Sequence, residues 1–256
     1  MLVAESALRG FAIEASDGRI GTVSDFLFDD ESWKIRWLVV DTGKWLTGRK
    51  VLVHPSAIWQ ADHENGELRV KITKARVEGS PDLLTDQPVS QQMEASLYDY
   101  YQWDPYWGNS YFPLGAMATP LSAPPYYGVT LGSDAGRPRS LPESGDPHLR
   151  SIAAVAKYHI HASDGEVGHV ENFLVDDASW DIRYIIVATR NWWPGQHVLI
   201  SPYSVREIIW LSRQVQLDVT RDQVKTSPPW DPIAMIDQVY EKQLHLHYRW
   251  PGYGWF

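Results

Sequence analysis

The sequence predicts a mainly β protein made of two small antiparallel β-barrels, each followed by one amphipathic α-helix. Two observations carry this: the chain repeats itself once at a fixed spacing, and each copy alternates short apolar runs with turn dipeptides. Ala15-Ser16-Asp17-Gly18 returns as Ala162-Ser163-Asp164-Gly165, an offset of 147 residues (162 − 15). At that offset Asp29-Asp30 meets Asp176-Asp177, Trp33 meets Trp180, Ile35-Arg36 meets Ile182-Arg183, Trp45 meets Trp192 and Pro55 meets Pro202. The register returns at Leu97/Leu244, Tyr101/Tyr248 and Trp103/Trp250. Two copies this far apart mark a duplicated domain rather than a solenoid.

Within the first copy, Leu8 to Ile13 reads as a strand leading into Asp17-Gly18, a tight-hairpin dipeptide. Arg19 to Phe28 follows, ended by the acidic turn Asp29-Asp30-Glu31-Ser32. Ile35 to Val40 is β-branched and aromatic and suits a central strand. Lys50 to Val53 makes a fourth strand, and Ala57 to Asp62 and Glu67 to Ile72 flank the hairpin signal Asn65-Gly66. Six short strands with frequent turns point to a small barrel or sandwich, and Val155 to Val219 reads the same way. After each barrel an apolar residue recurs every four positions: Val89, Met93, Leu97, Tyr101, and Ile236, Tyr240, Leu244, Tyr248. Asp231-Pro232 offers the second helix an N-cap and a first-turn proline. The expected boundaries are 1–80 and 148–227 for the barrels, with a helix in 81–103. A Gly/Pro/Tyr-rich linker fills 104–147, and 228–256 holds the second helix and an aromatic tail. The linker's aromatic residues predict that part of it lies against a barrel or helix.

Composition narrows the function classes. The chain has 256 residues, a net charge of −9 and no cysteine, which excludes disulfides, thiolate metal sites and cysteine nucleophiles. A cytoplasmic location is expected. No apolar run approaches the roughly 18 residues that span a bilayer, and Met1 to Gly10 lacks the pattern of a signal peptide. The charge divides as about −1 for 1–80, −4 for 81–103, −2 for 104–147 and −2 for 148–256. No segment carries a basic stripe, so direct nucleic-acid binding is disfavoured, whereas a basic protein partner is compatible.

The string Asp17 to Asp29, followed by Ile35 to Asp41 and Gly48 to Pro55, closely resembles the PRC-barrel family. The second copy matches through Asp164 to Val170, Ile182 to Val187 and Val198 to Pro202. The resemblance implies a tandem of all-β barrels of the kind found in the cytoplasmic domain of the photosynthetic reaction centre H subunit. It also implies a protein-docking adaptor without a catalytic residue set, with peripheral attachment to a membrane complex as one setting. A related barrel occurs in a ribosome maturation factor, so the alternative is an assembly factor that binds a basic ribosomal protein.

Individual residues add little chemistry. Asp29-Asp30 and Asp176-Asp177 lack the spacing of a calcium loop and read as solvated turns. His159 and His161 share a strand face, but their counterparts Ala12 and Glu14 cannot repeat a metal site. No catalytic residues, cofactor or metal are expected. Arg36 and Arg183 read as outward arginines with their stems on the barrel, or as contacts to an acidic turn. Trp33 and Trp180 sit beside that polar turn, so partial exposure is expected. With Arg36, Arg183, Trp103 and Trp250 they form the candidate interface set. The apolar tail needs cover, which makes a homodimer an open expectation.

Overall fold

The computed structural model describes residues 1–46, 48–80, 91–103, 146, 148–189, 196–231 and 236–253. The chain divides into two compact units, residues 1–85 with 147–256 and residues 86–146. Trp192, residues 104–145 with the linker aromatics, and residues 254–256 lie outside the described set.

The first repeat contains β1 (Leu2–Ala4), α1 (Glu5–Leu8), β2 (Ala12–Ala15), β3 (Gly18–Asp29), β4 (Lys34–Asp41), β5 (Lys50–Val53), β6 (Ile58–Asp62), β7 (Glu67–Val70) and α2 (Lys74–Glu78). The second unit holds α3 (Gln91–Tyr101). The second repeat contains β8 (Leu149–Ser151), α4 (Ile152–Val155), β9 (His159–Ala162), β10 (Gly165–Asp176), β11 (Ile182–Ala188), β12 (His197–Ile200), β13 (Val205–Ile209), β14 (Gln214–Leu217) and α5 (Arg221–Lys225). It ends with α6 (Gln238–Tyr248). The protein is mainly β, as the sequence predicts.

Each repeat builds one sheet, in the order β5-β4-β3-β2-β7-β6 and β12-β11-β10-β9-β14-β13. The expectation of purely antiparallel pairing fails at one ladder per sheet: β2 with β7, and β9 with β14, run parallel. The last strand returns beside the first only after the hairpins between them, and it arrives in the same direction. Among the described residues the ladder does not close on itself. Between β5 and β6 the chain turns through a 3₁₀ turn at Pro55–Ala57, begun by a residue that has no N–H to give a ladder. The interiors are filled by inward residues of the long strands, Ile20, Val23, Phe26 and Phe28 in β3 and Val167, Val170, Phe173 and Val175 in β10.

Two local predictions are corrected. The strand expected from Leu8 is preceded by the helical turn α1, where Glu5 and Arg9 pair at 2.6 Å across one turn, and the strand itself begins at Ala12. Helix α6 starts at Gln238, capped by Asp237, which accepts from the Tyr240 N–H at 2.7 Å. Leu244 and Tyr248 of the expected stripe are buried, but Glu241 and His245 share that face, while Tyr240 lies at its margin.

Candidate interaction site

The duplication explains how the two repeats meet. Strands β3 and β10 each run for 12 residues and outreach their hairpin partners β2 and β9, leaving a free edge at their far ends. Each edge is filled by the other repeat. Strand β1 pairs with β10 (Leu2↔Asp176, Val3↔Val175, Ala4↔Leu174), and β8 pairs with β3 (Leu149↔Asp29, Arg150↔Phe28, Ser151↔Leu27). These registers are identical once the repeat offset is applied. The arms are pinned by matched contacts: Asp25 accepts from the Ala153 N–H at 3.1 Å and from the Ser151 hydroxyl, and Asn172 accepts from the Ser6 N–H at 3.4 Å.

Trp33 and Trp180 lie inside this seam. They are 8% and 6% exposed, which corrects the expectation of partial exposure. Both adopt a left-handed backbone, φ 56° and 61°, unusual for bulky side chains and a sign that the surroundings hold them there. The conformation turns their carbonyls toward the other repeat, where Trp33 accepts from the Ile182 N–H at 2.8 Å and Trp180 from the Ile35 N–H at 2.9 Å. The rings pack on core aromatics: Trp33 on Phe28, Trp180 on Phe26 of the opposite repeat. The tryptophan rings face protein, while the outer residues of each turn, Glu31 and Ser32 in one and Ala178 and Ser179 in the other, stay exposed.

The acidic turns are likewise engaged, correcting their reading as solvated. Asp30 binds His148 at 3.0 Å and Arg150, both on the exchanged arm, while Asp177 binds the Met1 amine and, at 2.7 Å, His63. Asp29 accepts from Ser32 and Glu31 N–H groups and from buried Arg36 at 2.9 Å. Burial opposes its charge, but the Ser32 and Glu31 hydrogen bonds and the Arg36 charge outweigh it and hold its pKa below the usual carboxylate value.

The remaining candidates separate. Arg183, the counterpart of Arg36, is half-buried with its guanidinium 3.8 Å over the Tyr253 ring. Trp250 is buried, stacks on Tyr248 at 4.2 Å and donates to the Ser204 hydroxyl at 2.7 Å, tying α6 to the second sheet. Trp103, in the second unit, stacks on Tyr101 at 4.3 Å. His159 pairs with Glu166 at 3.0 Å, and among the described residues no three His, Asp or Glu side chains converge as a metal site.

Sequence reasoning missed His63, His148, Arg150 and Ser151, whose roles depend on the exchange. The repetition of Leu2 as Leu149 and Ala7 as Ala154 at the same offset is the signal that could have extended the repeat to the arms. Large apolar side chains also reach solvent: Trp59 on β6, 55% exposed, and Trp210 with Leu211 at the β13–β14 turn, the Trp210 ring lying 4.5 Å beneath the Arg150 guanidinium of the exchanged arm. Their repeat counterparts are Arg206, His63 and Glu64, so these surfaces diverged after duplication.

Residues 5–77 match the PRC-barrel domain. An uncharacterized protein of Deinococcus radiodurans is 35% identical over 75 residues, 29% of this chain and 27% of that relative's length. The shared part is thus a little over a quarter of either chain. No described helix is long and apolar enough to cross a membrane.

Proposed function

We propose that the chain is a non-enzymatic adaptor of tandem PRC-barrel type that docks protein partners. The observation that supports it is the PRC-barrel match over residues 5–77, joined to a second sheet with the same strand order and the same exchanged arm. Because Trp33 and Trp180 are spent on joining the repeats and Arg36 on holding Asp29 of its own repeat, docking falls to the diverged surfaces. Trp59 and the Trp210-Leu211 tip are suited to anchoring a partner, since exposed aromatic residues dominate binding energy at interfaces. Likeness to the reaction-centre H-subunit domain, peripheral association with a membrane complex and a cytoplasmic setting belong to the same reading.

The test is affinity capture from the native host with the tagged full chain beside its Trp59→Ser and Leu211→Ser variants. Mass spectrometry should recover a defined set of proteins that the variants lose while keeping the wild-type melting temperature. Equal recovery by all three would remove both positions from the docking surface. A set of ribosomal proteins that survives nuclease and salt would favour an assembly-factor role, and turnover of a substrate would end the adaptor reading.

A further inference from the structure

Each repeat is a control for the other: where they share a backbone but differ in side chain, the side chain answers to something besides the fold. Among the described residues, six that are not glycine have positive φ. Four are repeated pairs, Trp33 with Trp180 and Gln102 with Arg249. The other two, Lys157 (φ 77°) and Arg213 (φ 51°), stand where the first repeat has Gly10 (φ 82°) and Gly66 (φ 64°). The backbone hydrogen bonds are the same in both copies. The Gly10 N–H donates to the Val23 carbonyl at 2.8 Å, and the Lys157 N–H to that of Val170 at 2.7 Å. The Gly66 and Arg213 carbonyls accept from the Ala12 and His159 N–H groups at 2.8 and 2.9 Å. Glycine adopts this conformation freely and other residues at a cost. Both cationic side chains are exposed, so burial does not offset that cost, and among the described residues neither pairs with an acid. Such strain gathers at functional positions.

The two cations share a corner. Arg213 closes the β13–β14 turn, in which Trp210 is 39% exposed and Leu211 fully so. Arg150 holds Asp30 while its guanidinium lies 4.5 Å over the Trp210 ring, and Tyr158, next to Lys157, meets that ring edge-on at 6.2 Å. Burial raises the pKa of the Tyr158 phenol, and the charges of Arg213 and Arg150 draw it back, so both arginines face this corner. In the first repeat Arg150, Lys157 and Arg213 are replaced by Val3, Gly10 and Gly66. Trp210 and Leu211 are replaced there by His63 and Glu64, with His63 engaged by Asp177. Cations and exposed apolar side chains are therefore present together in one repeat and absent together from the other, on a chain of net charge −9.

We infer that this corner binds an acidic segment of a protein partner, with carboxylates facing Lys157 and Arg213 and an apolar side chain against Trp210 and Leu211. The inference rests on the docking role proposed for the Trp210-Leu211 tip and adds its chemistry. An extended anionic surface, such as a membrane, would also meet the acidic remainder of the chain and be repelled, whereas a short segment meets only this corner. Fluorescence anisotropy with the full chain tests this, using a labelled, capped hexapeptide of two leucines flanked on each side by two aspartates, and its asparagine twin. The acidic peptide should bind and its twin should bind less. Lys157→Gly and Arg213→Gly should each weaken binding about two- to fivefold, the scale of an exposed ion pair, and about 1 M salt should abolish the difference. Because the first repeat has glycine on the same backbone, both variants should melt no lower than wild type, which separates lost binding from lost folding. No binding at about 1 mM peptide, equal binding of the two peptides, or undiminished binding by the double glycine variant would overturn the inference. So would Arg213-dependent cosedimentation with phosphatidylglycerol vesicles in place of peptide binding. In affinity capture, partners lost by Leu211→Ser but kept by the double glycine variant would overturn it while the docking role stands. Partners kept by both variants would end the docking role of this tip as well.

Discussion

Gly21 and Gly168 occupy one position of the two repeats, where a long strand passes close to the end of its neighbour. A Cβ added there would lie 2.1 Å from the Asp41 carbonyl oxygen and 2.0 Å from that of Ala188, distances that only a backbone shift can relieve. Gly21→Ala is therefore expected to cost about 3 kcal/mol or more, in the range of severe overpacking, read as a fall in the urea midpoint. His54 poses a different demand. It caps the 3₁₀ turn by accepting from the Ser56 N–H at 3.2 Å, and its ring meets Trp37 edge-on. Burial first, then the charges of Arg36 and Lys34, lower its pKa from 6.5 to about 4. The folded chain keeps the imidazole neutral while the unfolded chain protonates it below about 6.5. Its contribution is thus present above pH 6.5 and lost as pH falls toward 4, by at most about 3 kcal/mol. The second repeat has Ser201 here, which accepts from the Tyr203 N–H in the same way. His54→Ser should retain the cap and lose less stability than wild type between pH 7 and pH 4.5. Equal losses in the two proteins would show that His54 does not drive the acid sensitivity.

Among the elements, α6 is bound to the second sheet by a polar contact that its apolar stripe does not foretell. The Tyr184 hydroxyl lies 2.9 Å from Glu241 and 2.8 Å from His245 Nε2, while His245 Nδ1 sits 2.7 Å from the Pro251 carbonyl, which can only accept. With Nδ1 donating, the tyrosine proton can satisfy Glu241 or a neutral His245, not both. Tyr184→Phe removes the shared donor and should cost about 1–3 kcal/mol, the price of leaving a buried acceptor unmade, with α6 exchanging its amide hydrogens faster. Unchanged stability and exchange would mean that apolar packing alone docks the helix. The central strands β3, β4, β10 and β11 were legible because their apolar runs are long and their turns carry Asp-Gly or paired aspartates. The arms β1 and β8 span three residues each, too few to show a period. The parallel ladders are set by distant return of the chain, which local pattern does not record. Trp33, Trp180, Arg36 and Arg183 were recognisable as a repeated set, but not what they face. A polar turn beside a tryptophan implies an exposed ring only if no second protein surface covers that ring, and here the other repeat does.

At the scale of the whole repeat pair, Lys34 and Asp181 have a special position. They are counterparts at the 147-residue offset (181 − 34), yet they face each other, joined by an antiparallel backbone bridge and by an ion pair at 3.4 Å. A residue that meets its own counterpart lies on the axis relating the two copies. Were two first repeats to pair in this way, lysine would meet lysine, and two second repeats would bring two aspartates together. Opposite charges at the axis therefore favour first with second over like with like, a repulsive element against the wrong pairing as well as an attractive one for the right pairing. Both side chains are substantially exposed, so the pair is worth no more than about 1 kcal/mol, roughly 2–3 °C in melting temperature for a chain of this size. Lys34→Asp and Asp181→Lys should each lower the melting temperature by about that amount, and the double exchange should recover most of it at low salt. The recovery should shrink near 1 M salt, where charges this exposed are screened. Additive losses in the double variant would mean that the charges do not sense each other, leaving the exchanged arms and the buried tryptophans to set the pairing without help from the axis.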